Sequence, residues 1–122
     1  MRQVSRTLTA ALLFASASAT AAFAWGAIAV DDDYNHPAAE AGYASVTQYP
    51  TRREAADSAM STCQTAENKD CRLVLTFTKC GAYAASMTRW GIGTGNTLPV
   101  AEKRALSDCG GPDCQIVVSD CE

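Results

Sequence analysis

Six cysteines, one histidine, three consecutive aspartates and one glycine-rich stretch are the residues whose types and spacing could do chemistry. The cysteines stand at 63, 71, 80, 109, 114 and 121. Thiol catalysis favours a Cys-x-x-Cys pair with a lowered thiolate pKa. The tightest spacing here is Cys109-x4-Cys114, so a structural reading as disulfides prevails. A zinc site built from these thiols would want Cys-x-x-Cys pairs or histidine partners. None of the first kind exists, and His36 lies far off in a stretch of different composition. No metal and no other cofactor is expected.

His36 belongs to Asp31-Asp32-Asp33-Tyr34-Asn35-His36-Pro37. As a general base it would need an orienting partner and a nucleophile within reach. A segment rich in Asp, Asn and Pro reads instead as a solvated connection. The three aspartates are oxygen ligands in principle. They are consecutive, however, and lack the glycine and distal glutamate of a calcium loop. Gly91-Ile92-Gly93-Thr94-Gly95-Asn96 precedes a helix, as phosphate-cradling loops do. It lacks both the dinucleotide fingerprint and the Lys-Ser/Thr of a P-loop. It reads as a glycine-rich edge strand that another element approaches closely. No catalytic residue is assigned.

The elements that position these residues come in two copies. Gly26-Ala-Ile-Ala-Val30 returns as Gly81-Ala-Tyr-Ala-Ala85, and Thr51 to Cys63 returns as Thr97 to Cys109. Thr51-Arg-Arg-Glu54 matches a helix capping box. Behind it Ala55, Ala56, Ala59, Met60 and Cys63 recur at helical spacing. Leu73, Leu75 and Phe77 alternate as on a strand with one core face. In the second copy Pro99 stands in the first helical turn, where its missing N–H costs little. Each half reads β-β-α-β, with halves at about 25–80 and 81–122. The fold class is α+β: an antiparallel sheet with two helices on one face, in ferredoxin-like order. Whether the chain turns back at Lys79-Cys80-Gly81 or runs on as one bent strand is left open.

Six cysteines allow 15 pairings, and the repeat narrows them. Cys63 closes one helix and Cys71 opens the next strand; Cys109 and Cys114 hold the same two places in the second copy. Local staples Cys63–Cys71 and Cys109–Cys114 follow. Cys80 and Cys121 remain, read as equivalent strand ends whose bond ties the halves together.

Residues 1–24 read as an export leader. Arg2 and Arg6 precede an uncharged run from Thr7 to Phe23, and Ala22-Phe23-Ala24 supplies the small-x-small cleavage pattern. That run is diluted with Ser and Thr and is short against the roughly 20 apolar residues of a membrane span. Loss of Arg2 and Arg6 leaves eight basic against thirteen acidic side chains, a net charge of −5 over 98 residues. An acidic chain of this kind is not built for nucleic acid or an anionic membrane surface. Six cysteines in one small exported domain imply a disulfide framework in the periplasm or outside the cell.

Gly26-Ala-Ile-Ala, the helix ending in Cys63, the run from Cys71 to Ala82, Trp90-Gly-Ile-Gly before an alanine-rich helix, and the final cysteine resemble, in that order, the bacterial secreted family called domain of unknown function 4189. The resemblance spans essentially the whole mature chain. It implies a small exported, cysteine-bearing protein and brings no catalytic residues. Function more often lives where duplication fails. Gly26 and Gly81 are 55 apart but Cys63 and Cys109 only 46, so residues 31–42 have no counterpart. Asp31, Asp32, Asp33, Tyr34, His36 and Glu40 are therefore the candidate binding residues. Arg52-Arg53, at a helix start where the dipole disfavours cations, is the second asymmetry. The expectation is a non-enzymatic module for an unknown protein or envelope component of basic character. An inhibitor or immunity-type protein offering an acidic loop to a basic enzyme is the alternative.

Overall fold

Two stretches are apolar on every residue, Gly26–Val30 and Cys80–Ala85, and both are buried throughout. A strand covered on one face alternates apolar and polar residues; one covered on both has no polar side. That burial determines the architecture. The computed structural model describes residues 24–31, 41–66 and 70–122. In chain order these form β1 (Trp25–Asp31), β2 (Tyr43–Tyr49), α1 (Arg52–Thr65), β3 (Cys71–Phe77), β4 (Cys80–Ala85), β5 (Trp90–Gly95), α2 (Leu98–Cys109) and β6 (Gln115–Cys121). The class is α+β with duplicated β-β-α-β halves, as the repeat implies.

The strands divide into two antiparallel three-stranded sheets, ordered β2-β1-β3 and β5-β4-β6, rather than one continuous ferredoxin-like sheet. The sheets pack face to face, and each carries its own helix on its outer face. The central strands explain this division. On β1, Ala27 and Ala29 face α1 with Ala55, Ala59 and Cys63, while Ile28 and Val30 face the other sheet. On β4, Ala82 and Ala84 face α2 with Ala101 and Ala105, while Tyr83 and Ala85 join the inter-sheet core. Small residues let each helix sit close to its sheet. Larger ones, with Leu75, Phe77 and Val118, fill the space between the sheets. A single sheet with both helices on one face would leave Ile28, Val30 and Tyr83 in water.

The helices begin as their sequences dictate. Thr51 Oγ1 accepts from Glu54 N (3.2 Å) and Thr97 Oγ1 from Val100 N (3.4 Å). Gly110 ends α2 at φ 77, a left-handed conformation that glycine adopts freely, and donates to Leu106 O. Gly91 and Gly93 of β5 face α2 so closely that a Cβ on either would strike helix backbone at Ala101, Ala105, Asp108 or Cys109. The close approach read from the sequence is this contact. Asp108 Oδ2 accepts from Ile92 N (2.9 Å) and Arg104 Nη1 donates to Thr94 O (2.8 Å), so α2 also occupies backbone groups along the outer edge of β5.

Both copies carry the same β-bulge. The β1–β3 pairing steps from Ile28↔Leu75 to Ala29↔Leu73, and the β4–β6 pairing from Tyr83↔Val118 to Ala84↔Ile116. Val74 and Val117 are the extra residues, and both pack on the inter-sheet core. The bulge reverses side-chain parity along β3. Leu73, expected on the core face with Leu75, is instead 40% exposed.

The disulfides are Cys63–Cys71, Cys80–Cys121 and Cys109–Cys114, the pairing read from the repeat. One inference from it changes. The chain crosses between sheets at Thr78–Lys79, so Cys80 opens β4 rather than closing β3. Cys80–Cys121 therefore lies within the second sheet and does not join the halves. Its counterparts in the first sheet are Trp25 and Thr78. The halves are joined instead by the inter-sheet core, by Ser45 Oγ donating to Asp120 Oδ2 (2.8 Å), and by Gln48 N donating to the Glu122 carboxylate (3.0 Å).

Candidate functional site

Val30 points into the inter-sheet core, and directly paired residues on antiparallel neighbours point the same way. Tyr43 and Arg72 flank Val30 in register, on β2 and β3. In the facing sheet Trp90 and Gln115 flank Ala85. Two rows thus meet at one end of the sandwich. The bulge at Val74 turns Arg72 inward, and its guanidinium lies 4.4 Å from the centroid of the Trp90 ring. Trp90 also stacks on Tyr83, with centroids 6.4 Å apart. The 86–89 turn is pinned by Ser86 Oγ, which accepts from Thr88 N and Arg89 N, and it carries Met87. Tyr43 is 50%, Trp90 40% and Met87 57% exposed. Trp90 is held between Arg72 and Tyr83, and with the partly exposed Tyr43 and Met87 it gives this rim residue types that are enriched in protein interfaces.

The segment picked out by the broken repeat leaves and returns at this same end. Asp31 N donates to Gly42 O (2.8 Å), just before Tyr43 opens β2. Asp31 is placed at the end of β1, paired with Cys71. Its Oδ1 is buried and has no hydrogen-bond partner among the described residues. Asp32, Asp33, Tyr34, His36 and Glu40 lie outside the described residues. The sequence reasoning did not single out Tyr43, Arg72, Met87 or Trp90 as binding residues. Trp90 had a signal: a tryptophan opening the strand Trp-Gly-Ile-Gly-Thr-Gly has little beside it to bury its ring. Arg72 had none, because its inward turn depends on the bulge.

Arg52 is less free than a solvated first turn would be. Its guanidinium lies 6.0 Å from the Trp25 ring centroid, and its Nε donates to Thr76 Oγ1 (2.9 Å). These contacts clamp α1 to both β1 and β3.

The opposite end of the sandwich holds an open cleft of about 410 Å³, lined by Thr78, Lys79, Cys80, Thr97, Cys121 and Glu122 among others. An adjoining lobe of about 210 Å³ adds Thr94 and Arg104. Among the described residues no three His, Cys, Asp or Glu side chains gather as a metal site. Among them, too, no helix is long and apolar enough to cross a membrane.

Residues 25–121 match the profile of a family described as "Domain of unknown function (DUF4189)". Protein Rv1269c of Mycobacterium tuberculosis (strain H37Rv) is 41% identical over 63 residues, covering 52% of this chain and 48% of that protein. Protein Mb1300c of Mycobacterium bovis matches with the same identity and coverage. The match thus spans about half the length of these relatives. The fold is similar to the NMR structure of Rv1813c from Mycobacterium tuberculosis, with a TM-score of 0.54 at 19% identity, covering 100% of this chain and 97% of that one.

Proposed function

We propose, from the premise that the chain belongs to the DUF4189 family, that it is an exported, non-enzymatic binding module. The observation that carries this reading is the partly exposed cluster of Tyr43, Arg72, Met87 and Trp90 at the end of the sandwich where the acidic segment from Asp31 to Glu40 is anchored. Aromatic residues, methionine and arginine are enriched in protein interfaces. The run of three aspartates that begins at Asp31, the end of β1, suits a partner of basic character, a protein or an envelope component.

Export is supported by two coincidences at Trp25. The family match and strand β1 both begin there, directly after the small-x-small pattern that ends the leader. Three disulfides fit an oxidising compartment, periplasmic or extracellular. A second reading is an inhibitor or immunity-type protein that presents the same surface to a basic enzyme such as a muramidase. The stapled scaffold supports it, since a rigid surface loses less entropy on binding.

The test is affinity capture with the mature chain from envelope extracts, in parallel with a Tyr43→Ala/Trp90→Ala variant of unchanged disulfide content. A partner retained by the wild type and lost by the variant supports the reading. If that partner is an enzyme whose activity falls on binding, the second reading is favoured. Equal capture by both proteins moves the binding surface elsewhere.

A further inference from the structure

We infer that Cys80–Cys121 is a thiol–disulfide exchange site that accepts a dithiol, whereas the other two disulfides are structural staples. The duplication supplies the first argument. Cys63–Cys71 and Cys109–Cys114 occupy equivalent places and fix each helix end to the following strand. Cys80–Cys121 has no copy. In the first sheet Trp25 and Thr78 hold its place, and β1 there pairs as far as Trp25↔Tyr49 and Gly26↔Phe77 with no covalent link. This strand geometry does not need the bond. The β4–β6 ladder also continues past it, since Glu122 N donates to Lys79 O at 2.7 Å.

The second argument is access. Both cysteines line the cleft of about 410 Å³ at the end of the sandwich away from the aromatic rim. Cys80 is buried in the cluster with Ala82 and Ala101 beneath α2, whereas Cys121 is partly exposed. Cys121 is thus the half of the bond nearer solvent and the one assigned to receive the incoming thiolate. Lys79 and the first turn of α2 share the lining. A cation and a helix N-terminus stabilise a thiolate, and a stabilised thiolate leaves faster in exchange.

The steps balance as follows. One thiolate of the dithiol bonds to the Cys121 sulfur as the Cys80–Cys121 bond breaks, giving a mixed disulfide and the Cys80 thiolate. The second thiolate of the dithiol attacks its own sulfur in that mixed disulfide, closes the oxidised dithiol and releases Cys121 as thiolate. Two electrons pass from the dithiol to the protein. The paired strands keep Cys80 and Cys121 directly opposite each other, so an oxidised dithiol reverses the sequence.

The experiment treats the folded mature protein with limiting dithiothreitol, and separately with a reduced Cys-x-x-Cys protein. Free thiols are trapped by alkylation over time and located by peptide mapping. Cys80 and Cys121 are expected to be labelled at least about tenfold faster than the other four cysteines, with the circular dichroism spectrum retained. Reaction with dithiothreitol alone identifies a small dithiol as the substrate, and reaction with both admits a protein dithiol. Lys79→Gln is expected to slow the first step severalfold at unchanged melting temperature. Labelling of Cys63, Cys71, Cys109 or Cys114 first or at the same rate overturns the assignment, as does labelling that merely tracks unfolding.

Discussion

Arg72 and Trp90, 18 positions apart and in different sheets, meet with the guanidinium 4.4 Å from the centre of the indole. The contact depends on the Val74 bulge, which brings Arg72 level with Val30 on the inner face of the first sheet. The repeat places Tyr43 and Gln115 at the equivalent positions on the other flank. One flank of the sandwich is thus closed by a cation on an aromatic ring, while the other is bridged by Ser45 and Asp120.

A double-mutant cycle on Arg72→Ala and Trp90→Ala should give a coupling of about 0.5–1 kcal/mol, the usual range for a partly exposed cation–π pair. Urea unfolding of the four proteins measures it. A coupling indistinguishable from zero would mean the two side chains do not meet in solution.

Gly93→Val should destabilise the fold by about 2–3 kcal/mol or more, because added atoms must displace α2 backbone rather than a flexible side chain. The loss appears as a lower urea midpoint with the disulfides intact. Wild-type stability in this variant would show that α2 stands farther from β5 than described.

Much of this fold was legible locally. Thr51 and Thr97 mark helix starts by their own hydroxyls, and the placement of cysteines after each helix gives the staples directly. The division into two sheets was present in Gly26–Val30 and Gly81–Ala85, whose unbroken apolar character asks for cover on both faces. A reading based on element order alone misses that demand. Leu73 was misplaced because period-2 alternation cannot register a bulge, and the same bulge hides Arg72 as a rim residue. Lys79-Cys80-Gly81 was ambiguous because the chain changes sheets there without a hairpin. The acidic segment stood out by its excess length, but Tyr43 and Trp90 come to the end where it starts only through strand register, and Met87 only through the turn that precedes β5.

Non-reducing peptide mapping of the mature protein should return Cys63–Cys71, Cys80–Cys121 and Cys109–Cys114. Replacing Cys80 and Cys121 together by serine should cost about 4 kcal/mol and replacing Cys109 and Cys114 about 2, since the closed loops span 41 and 5 residues. The reverse ranking in urea would mean that native contacts, not loop closure, set the order.

Amino-terminal sequencing of the exported chain should begin Trp-Gly-Ala-Ile, with Trp25 as its first residue. Recovery of a full-length chain starting at Met1 in the membrane fraction would falsify the export reading.

Asp31, Asp32 and Asp33 changed together to Asn should slow association with a basic partner at low ionic strength, while the melting temperature changes little. Asp31 ends β1 at the side of the sandwich that carries Tyr43 and Arg72, and long-range attraction between an acidic run and a cationic surface acts before contact is made. Such steering acts mainly on the on-rate and weakens as salt shortens the Debye length from about 30 Å at 0.01 M to about 8 Å at 0.15 M. The wild type should therefore lose its rate advantage over the variant as salt is raised, with dissociation rates similar throughout. Rim contacts act oppositely: Trp90→Ala should raise the dissociation rate and leave the salt dependence intact. A triple variant that binds normally but melts far earlier would make the acidic segment part of the framework, leaving the aromatic rim to carry binding alone.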